Sequence, residues 1–173
     1  MGMNSQGPVS NMPALPGQSG QGGNASQYAQ GGSPWNSNRY TSRNFFAYEL
    51  DFAALAAGTS QNLSFNIAGD SDFFWTKFTA FALVGGASTV VSLNQIPAVN
   101  ILITNTTTGR QYSSSAVPLA NMAGSGVLPF ILPQITLWQN KSTIQVSATN
   151  EGNAAYSNLH LTFLGIKAFL SGS

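Results

Sequence analysis

Cysteine is absent from the 173-residue chain, and charged residues are scarce. Without cysteine, the chain can form no disulfide, no thiolate nucleophile and no cysteine-ligated zinc site. Charged residues make up 6% of the chain, against about 25% in ordinary soluble domains. The net charge of +1 leaves no basic field to hold a nucleic acid backbone. We therefore expect a neutral polar surface and no nucleic acid partner.

Long apolar runs are also missing. No segment reaches the ~20 consecutive apolar residues of a membrane-spanning helix. The first 30 residues lack the basic start and the apolar stretch of a secretory signal. The sequence therefore predicts no membrane association. It predicts a protein that is made in a cytoplasm and stays soluble, or one that joins a particle assembled there.

Groups for acid–base catalysis are few. His160 is the only histidine and lies on the polar phase of an alternating segment, between Leu159 and Leu161, so we expect a surface side chain. Glu49 and Asp51 also share one phase of an alternating segment. This pattern favours a solvated strand face over a pair of catalytic carboxylates.

Two further acids, Asp70 and Asp72, follow Gly69 in a predicted turn. Two carboxylates at this spacing could contribute to a Ca²⁺ site, but too few other acids exist to complete a ligand shell. An Asx turn is the favoured interpretation. The sequence therefore predicts no enzyme, no metal site and no cofactor.

Residues 1–43 differ in composition from the rest of the chain. They contain 8 of the 18 glycines and 4 of the 8 prolines, among mostly Ser, Asn and Gln. Such a segment buries too little apolar surface to offset its ordering entropy of ~1–2 kcal/mol per residue. We expect an extended N-terminal arm, followed by a folded domain at 44–173. The isolated larger side chains of the arm are candidate anchors on neighbouring subunits: Met12, Leu15, Tyr28, Trp35 and Tyr40.

From residue 44 onward, apolar and polar residues alternate with the period of two that marks a β-strand. Alternating segments lie at 46–52, 63–67, 99–103, 144–148 and 159–163, with turn-forming residues between them. A long connection at 116–134 contains three prolines and room for one edge strand. This pattern predicts an all-β fold, a single antiparallel β-sandwich of jelly-roll type with about eight strands. An immunoglobulin-like topology is the main alternative.

The segment 73–78 begins apolar on both phases. It predicts either a central strand covered on both faces or a strand whose second face meets another subunit. Phe73, Trp75 and Phe78 are therefore candidate partner-binding residues. Gly165 interrupts the last alternating segment, which indicates a bulge or a close backbone approach.

Trp138 is the best candidate for an aromatic platform that binds carbohydrate. Ile135 and Leu137 hold the apolar phase of this segment, while Trp138 and Thr136 lie on the other phase. Two interpretations stay open: packing at the rim of the sandwich or in an interface, and an exposed ring.

The turns and apolar positions from about residue 60 to residue 170 follow a recognisable order. An aromatic strand, "NLSFNIAGDSDFFWTKFTAFA", precedes the hairpin "VNILITNTTTGRQ", a proline-bearing loop, the strand pair around "LWQNKSTIQV" and the closing strand "NLHLTFLGIKAFL". This pattern resembles the small virion structural proteins of tailed bacteriophages. The shared pattern consists of turns and apolar positions and includes no catalytic or ligand-binding residues.

The resemblance implies a jelly-roll-type sandwich that binds the outside of a phage capsid as a decoration (cement) protein, with a place in the virion. The implied partners are the major capsid protein or other virion proteins, and further copies of the chain in a homo-oligomer such as a trimer. The arm would contact neighbouring subunits. The alternative is a carbohydrate- or receptor-binding domain of a phage fibre or of a neck or tail component.

Overall fold

The computed structural model describes residues 39–84 and 97–171. Four predicted arm anchors, Met12, Leu15, Tyr28 and Trp35, lie outside these ranges. Within the two ranges, strands dominate, one short 3-10 turn occurs at Leu119–Asn121 and no α-helix is found. These residues also include no helix that is long and apolar enough to cross a membrane.

Nine strands follow one another within the described ranges. Four of the five alternating segments of the sequence fall inside strands, and the fifth, 63–67, extends one residue past the end of its strand, which confirms the period-two prediction. The first strand begins at Tyr40, within the range assigned to the arm. The strands are β1 Tyr40–Leu55, β2 Ser60–Asn66, β3 Ser71–Val84, β4 Val99–Asn105, β5 Arg110–Gln111, β6 Val117–Pro118, β7 Phe130–Trp138, β8 Thr143–Asn150 and β9 Tyr156–Leu170.

The strands form two antiparallel sheets. One has the order β1-β9-β3-β7, and the other has the order β2-β8-β4-β5, with β6 also paired to β4. Pairing of β1 with β9, β2 with β8, β3 with β7 and β4 with β5 describes one long antiparallel ribbon. The ribbon is rolled so that β9 also pairs with β3 and β8 with β4. This is the jelly-roll arrangement, and the predicted sandwich is confirmed.

Alternate residues of each strand point into the space between the two sheets. In β4, Val99, Ile101 and Ile103 are buried, while the residues between them are half-buried. In β8, Ile144 and Val146 are buried opposite them in the same sheet. Each fully buried side chain of this size stabilises the fold by roughly 1.5–3 kcal/mol, which is why the apolar phase fixes the register.

Aromatic rings fill the centre of the sandwich. Trp138 is stacked on Trp75 at a ring-centroid distance of 5.0 Å and on Phe73 at 5.7 Å. Both indole nitrogens have acceptors: Nε1 of Trp75 donates to the carbonyl of Lys77 at 2.8 Å, and Nε1 of Trp138 donates to Oη of Tyr112 at 2.6 Å. Large rings are therefore buried here without leaving a polar group unpaired.

The predicted close approach at Gly165 is confirmed. Gly165 of β9 faces Trp75 of β3, next to a register shift in that strand. A Cβ atom at Gly165 would lie 2.1 Å from the carbonyl oxygen of Phe74 and 2.8 Å from Cζ of Phe73. Only glycine allows the two strands to approach this closely.

Candidate assembly surface

Strand β7 forms one edge of the four-stranded sheet, because β3 is its only partner strand among the described residues. The edge and the loop before it expose large apolar side chains, with Ile131 67% exposed and Leu128 77% exposed. The set is Val127, Leu128, Phe130, Ile131, Ile135 and Leu137, which we call the β7 patch. An apolar edge strand with a free side is a surface on which another chain can associate.

In β7, the residues that point into the core are not the ones that the apolar alternation predicts. Ile135 and Leu137 point outward, while Trp138 is fully buried and Thr136 is half-buried. Trp138 therefore packs inside the protein as one interpretation predicted, but in the centre of the sandwich and not at its rim or in an interface. An exposed Trp138 ring for carbohydrate binding is wrong. The physical reason is volume, since the indole fills the space beside Phe73 and Trp75 that no smaller residue of β7 could fill.

A bulge interrupts the pairing of β7 with β3. Thr136 pairs with Trp75, and the next paired residue, Ile131, faces Lys77, so residues 132–135 lie outside the regular ladder. Pro133 lies in this bulge, where no backbone N–H is required. Beneath the bulge is a pocket of ≈ 280 Å³. The bulge prevents a long partner strand from pairing along the whole edge, so side-chain contacts must dominate any association there.

The aromatic segment of β3 lies in the interior. Its prediction as a central strand covered on both faces is confirmed, because consecutive residues from Ser71 to Trp75 are buried. Phe73, Trp75 and Phe78, proposed from sequence as partner contacts, are at most 3% exposed. This is a correction to that assignment: the three side chains belong to the protein's own core and offer no surface to a partner.

An apolar row crosses the outer face of the same sheet. Phe45 of β1 pairs with Ile166 of β9, Ile166 pairs with Phe74 of β3, and Phe74 pairs with Leu137 of β7. Phe45 is 73% exposed, whereas Phe74 is buried. Cross-strand neighbours on one face are in side-chain contact, so the row connects the β7 patch to the opposite edge.

A buried carboxylate lies where β1 begins. Asp72 is fully buried. Its Oδ1 accepts the backbone N–H of Asn140 at 2.7 Å, and its Oδ2 accepts the hydroxyl of Tyr40 at 2.8 Å. Nη2 of Arg39 lies 3.3 Å from the same Oδ2. Burial of a carboxylate is tolerated only when it is paired and hydrogen-bonded, and here both conditions hold.

The interpretation of Asp72 as part of an Asx turn is wrong. Asp72 lies in β3, and its side-chain partners come from positions 39, 40 and 140. Tyr40, predicted as an arm anchor, packs edge-on against Phe74 of its own chain at 5.7 Å. Burial, followed by the hydrogen bond to Asp72, raises the pKa of Tyr40 to about 12. We call Asp72 with these partners the corner at Asp72. The sequence held no local signal for it, because Asp72 and its partners are far apart along the chain.

His160 lies on the outer face of the sheet, as its position in the alternation predicts. Its Nδ1 is 2.8 Å from Oε1 of Glu49, and its Nε2 is 3.9 Å from Oδ1 of Asp51. The two carboxylates are about half exposed, which agrees with a solvated strand face. Among residues 39–84 and 97–171, no group of three or more His, Cys, Asp or Glu residues could hold a metal ion.

Comparison with known proteins gives only distant likeness, among solved structures. No family model matches the chain, and no curated protein matches it in sequence. Among solved structures, it is similar to the VP2 subviral particle of infectious bursal disease virus, at 13% identity and a TM-score of 0.28. The likeness covers 76% of this chain and 38% of that chain, so this chain spans well under half of that protein's length. The jelly-roll arrangement is assigned from the strand pairing of this chain and not from this likeness.

Proposed function

We propose that this protein is a structural component of a virus particle, which binds a bacteriophage capsid as a decoration (cement) protein. The observation that carries the proposal is the exposed β7 patch, on a chain with 6% charged residues. A free monomer with so little charge has weak protection against association. Such a surface is suited to a molecule that is held by neighbours, and the sequence resemblance supports a phage virion as the place.

The action of such a protein is mechanical. The jelly roll is the rigid body, and the β7 patch makes the apolar contact with the major capsid protein or another virion protein. A patch of six apolar side chains is on the order of a few hundred Å², whereas a stable interface buries ~1,200 Å² or more. The N-terminal arm, residues 1–38, supplies the remaining contacts on neighbouring subunits, so that many weak contacts add to a firm hold.

The corner at Asp72 gives the arm a fixed starting point. Arg39 and Tyr40, the first described residues, are both bound to this buried carboxylate. The backbone is held there as well, because the N–H of Ser171 donates to the carbonyl of Arg39 at 2.8 Å. An arm that starts from a fixed point reaches its partners with a smaller loss of entropy than one that starts from a mobile point.

Binding to capsids of the virus that encodes the chain tests the proposal. Co-sedimentation is measured for the full chain, for a chain that begins at residue 39, and for Ile131→Ser. We expect both changes to weaken binding at least about tenfold while the fold persists, since each removes part of the contact. Phe45→Ser, on the opposite edge of the sheet, is the matched control. If both altered chains bind capsids as tightly as the full chain, the proposal is wrong.

A further inference from the structure

A pocket of ≈ 470 Å³ opens at the flank of the sandwich, between β7 and the β4–β5 hairpin. This volume is in the range of sites that hold a small molecule or one inserted side chain with its flanking backbone. The hairpin contributes Arg110 and Tyr112, and the other wall comes from β7 and the turn after it. This second wall includes Gln134, Ile135, Leu137, Gln139 and Ser142.

Three polar side chains of this pocket have no side-chain partner for a hydrogen bond or ion pair among the described residues. The guanidinium of Arg110 forms no ion pair there, and the amides of Gln134 and Gln139 form no hydrogen bond there. All three side chains are exposed, so they can bind an incoming molecule without breaking a contact within the protein.

Arg110 is held in a defined position. Its Cζ lies 5.6 Å from the ring centroid of Tyr112. The hydroxyl of Tyr112 accepts the indole N–H of Trp138, which is fully buried, so the ring beneath Arg110 is fixed to the core. A guanidinium oriented in this way presents two parallel N–H groups to a carboxylate. None of the five acidic residues of the chain lines the pocket, so the carboxylate must come from another molecule.

We propose that this pocket receives an acidic side chain from the partner virion protein, on a short segment that also carries apolar residues. The inference rests on the proposed function and names the chemistry of the partner. Ile135 and Leu137 belong both to the pocket wall and to the β7 patch, so the apolar contact and the charged contact are continuous. The amides of Gln134 and Gln139 hydrogen-bond the peptide groups on either side of the acidic residue, because each amide both donates and accepts.

Peptide binding to the full chain tests the pocket. The probes are acetyl-Val-Glu-Val-amide and its Gln counterpart, titrated while backbone and side-chain NMR signals are followed. We expect the Glu peptide to bind at least about tenfold more tightly, since a charge-assisted bidentate contact is lost in the Gln peptide. Arg110→Gln should remove that preference, and Lys77→Gln, an exposed cation outside the pocket, should retain it. Equal binding of the two peptides, or no binding at millimolar concentration, overturns the proposal.

Glucuronic acid serves as a third probe, because a sugar acid presents the same carboxylate with hydroxyl groups. If it binds more tightly than the Glu peptide in an Arg110-dependent way, the pocket is a site for acidic sugars and the peptide assignment is wrong. Thermal unfolding of Arg110→Gln should match that of the unchanged protein, since Arg110 is exposed. Gln139→Ala, also at an exposed position, should weaken the Glu peptide and the Gln peptide equally.

Capsid binding separates this inference from the proposed function. If Ile131→Ser weakens capsid binding and Arg110→Gln leaves it unchanged, the protein is a virion component but the pocket does not take part. If Arg110→Gln weakens capsid binding about tenfold and Lys77→Gln does not, both stand. If neither Ile131→Ser nor Arg110→Gln changes capsid binding, the proposed function fails together with the inference.

Discussion

Asp72 connects three parts of the chain that are distant in sequence. Its two carboxylate oxygens bind groups from the start of β1 and from the turn after β7. The glycine before Asp70 predicts a turn that includes Asp72. The local spacing carries no information about Arg39, Tyr40 or Asn140, which are distant in sequence. Burial of the carboxylate becomes evident only when β1, β9 and β3 are placed side by side.

Replacing Asp72 with Asn should destabilise the fold. The change preserves shape but removes the charge that Arg39 and Tyr40 bind, so the free energy of unfolding should fall by about 1–3 kcal/mol. Urea unfolding followed by tryptophan fluorescence measures the loss. Asp70→Asn is the matched control, because Asp70 is 51% exposed and its contact with Lys167 is 3.8 Å long. Its loss should stay below about 0.5 kcal/mol, and equal losses for the two variants would contradict the assignment.

The raised pKa of Tyr40 predicts a loss of stability in alkali. The pKa of Tyr40 is about 12 in the folded protein and 10.0 for an ordinary tyrosine, so the unfolded chain releases the phenolic proton first. The contribution of Tyr40 is complete below pH 10.0 and is lost as the pH rises toward about 12. Urea unfolding between pH 9 and 12 should therefore show a smaller decline in Tyr40→Phe than in the unchanged protein. Parallel declines in the two proteins would show that Tyr40 has no part in the effect.

Strand β7 shows what an element adds to the properties of its residues. Its Pro133, its bulge and its outward-facing Ile135 and Leu137 all follow from its place at the edge of the sheet. The sequence predicted an edge strand near the prolines, but its apolar phase could not be assigned to the core or to the surface. The large indole of Trp138 decides the phase, because only one side of the strand has room for it.

Strand β9 depends on a single glycine at its centre. Gly165→Ala would place a methyl group against the backbone of β3, and we expect a loss of about 2–4 kcal/mol in the free energy of unfolding. Chemical denaturation measures the change. Gly126→Ala is the matched control, since a Cβ there meets no atom within 4 Å. If the two variants have similar stabilities, β3 and β9 do not approach each other as closely as described.

For the whole molecule, the class of fold was readable from the sequence and the strand order was not. Alternation marks individual strands, and five such segments with turns between them are enough for an antiparallel sandwich. The pairing of β1 with β9 joins residues more than 100 positions apart, such as Phe52 and Leu159. No local pattern specifies such a pair. Such pairing results from the simultaneous burial of the apolar faces of all strands. Because no local pattern specifies it, the sequence leaves an immunoglobulin-like strand order open as an alternative.

A chain that ends at Asn150 should not fold, whereas a chain that begins at residue 39 should. Loss of β9 leaves β1 without any partner in its sheet and separates it from β3, because β9 lies between them. Loss of residues 1–38 leaves every strand pair among the described residues in place. Circular dichroism and the dispersion of NMR signals distinguish the two outcomes. A folded chain without β9 would contradict the central position of that strand.

The central position of β9 also sets a constraint during synthesis on the ribosome. The aromatic β3 is complete at Val84, but its neighbour β9 begins only at Tyr156, roughly 70 residues later. At ~5–20 residues per second, the side of β3 that pairs with β9 stays unpaired for about 4–14 s, although β7 can pair with its other side earlier. Chaperones that shield such segments should therefore affect the yield of folded protein, and the order in which the strands are translated becomes a determinant of that yield.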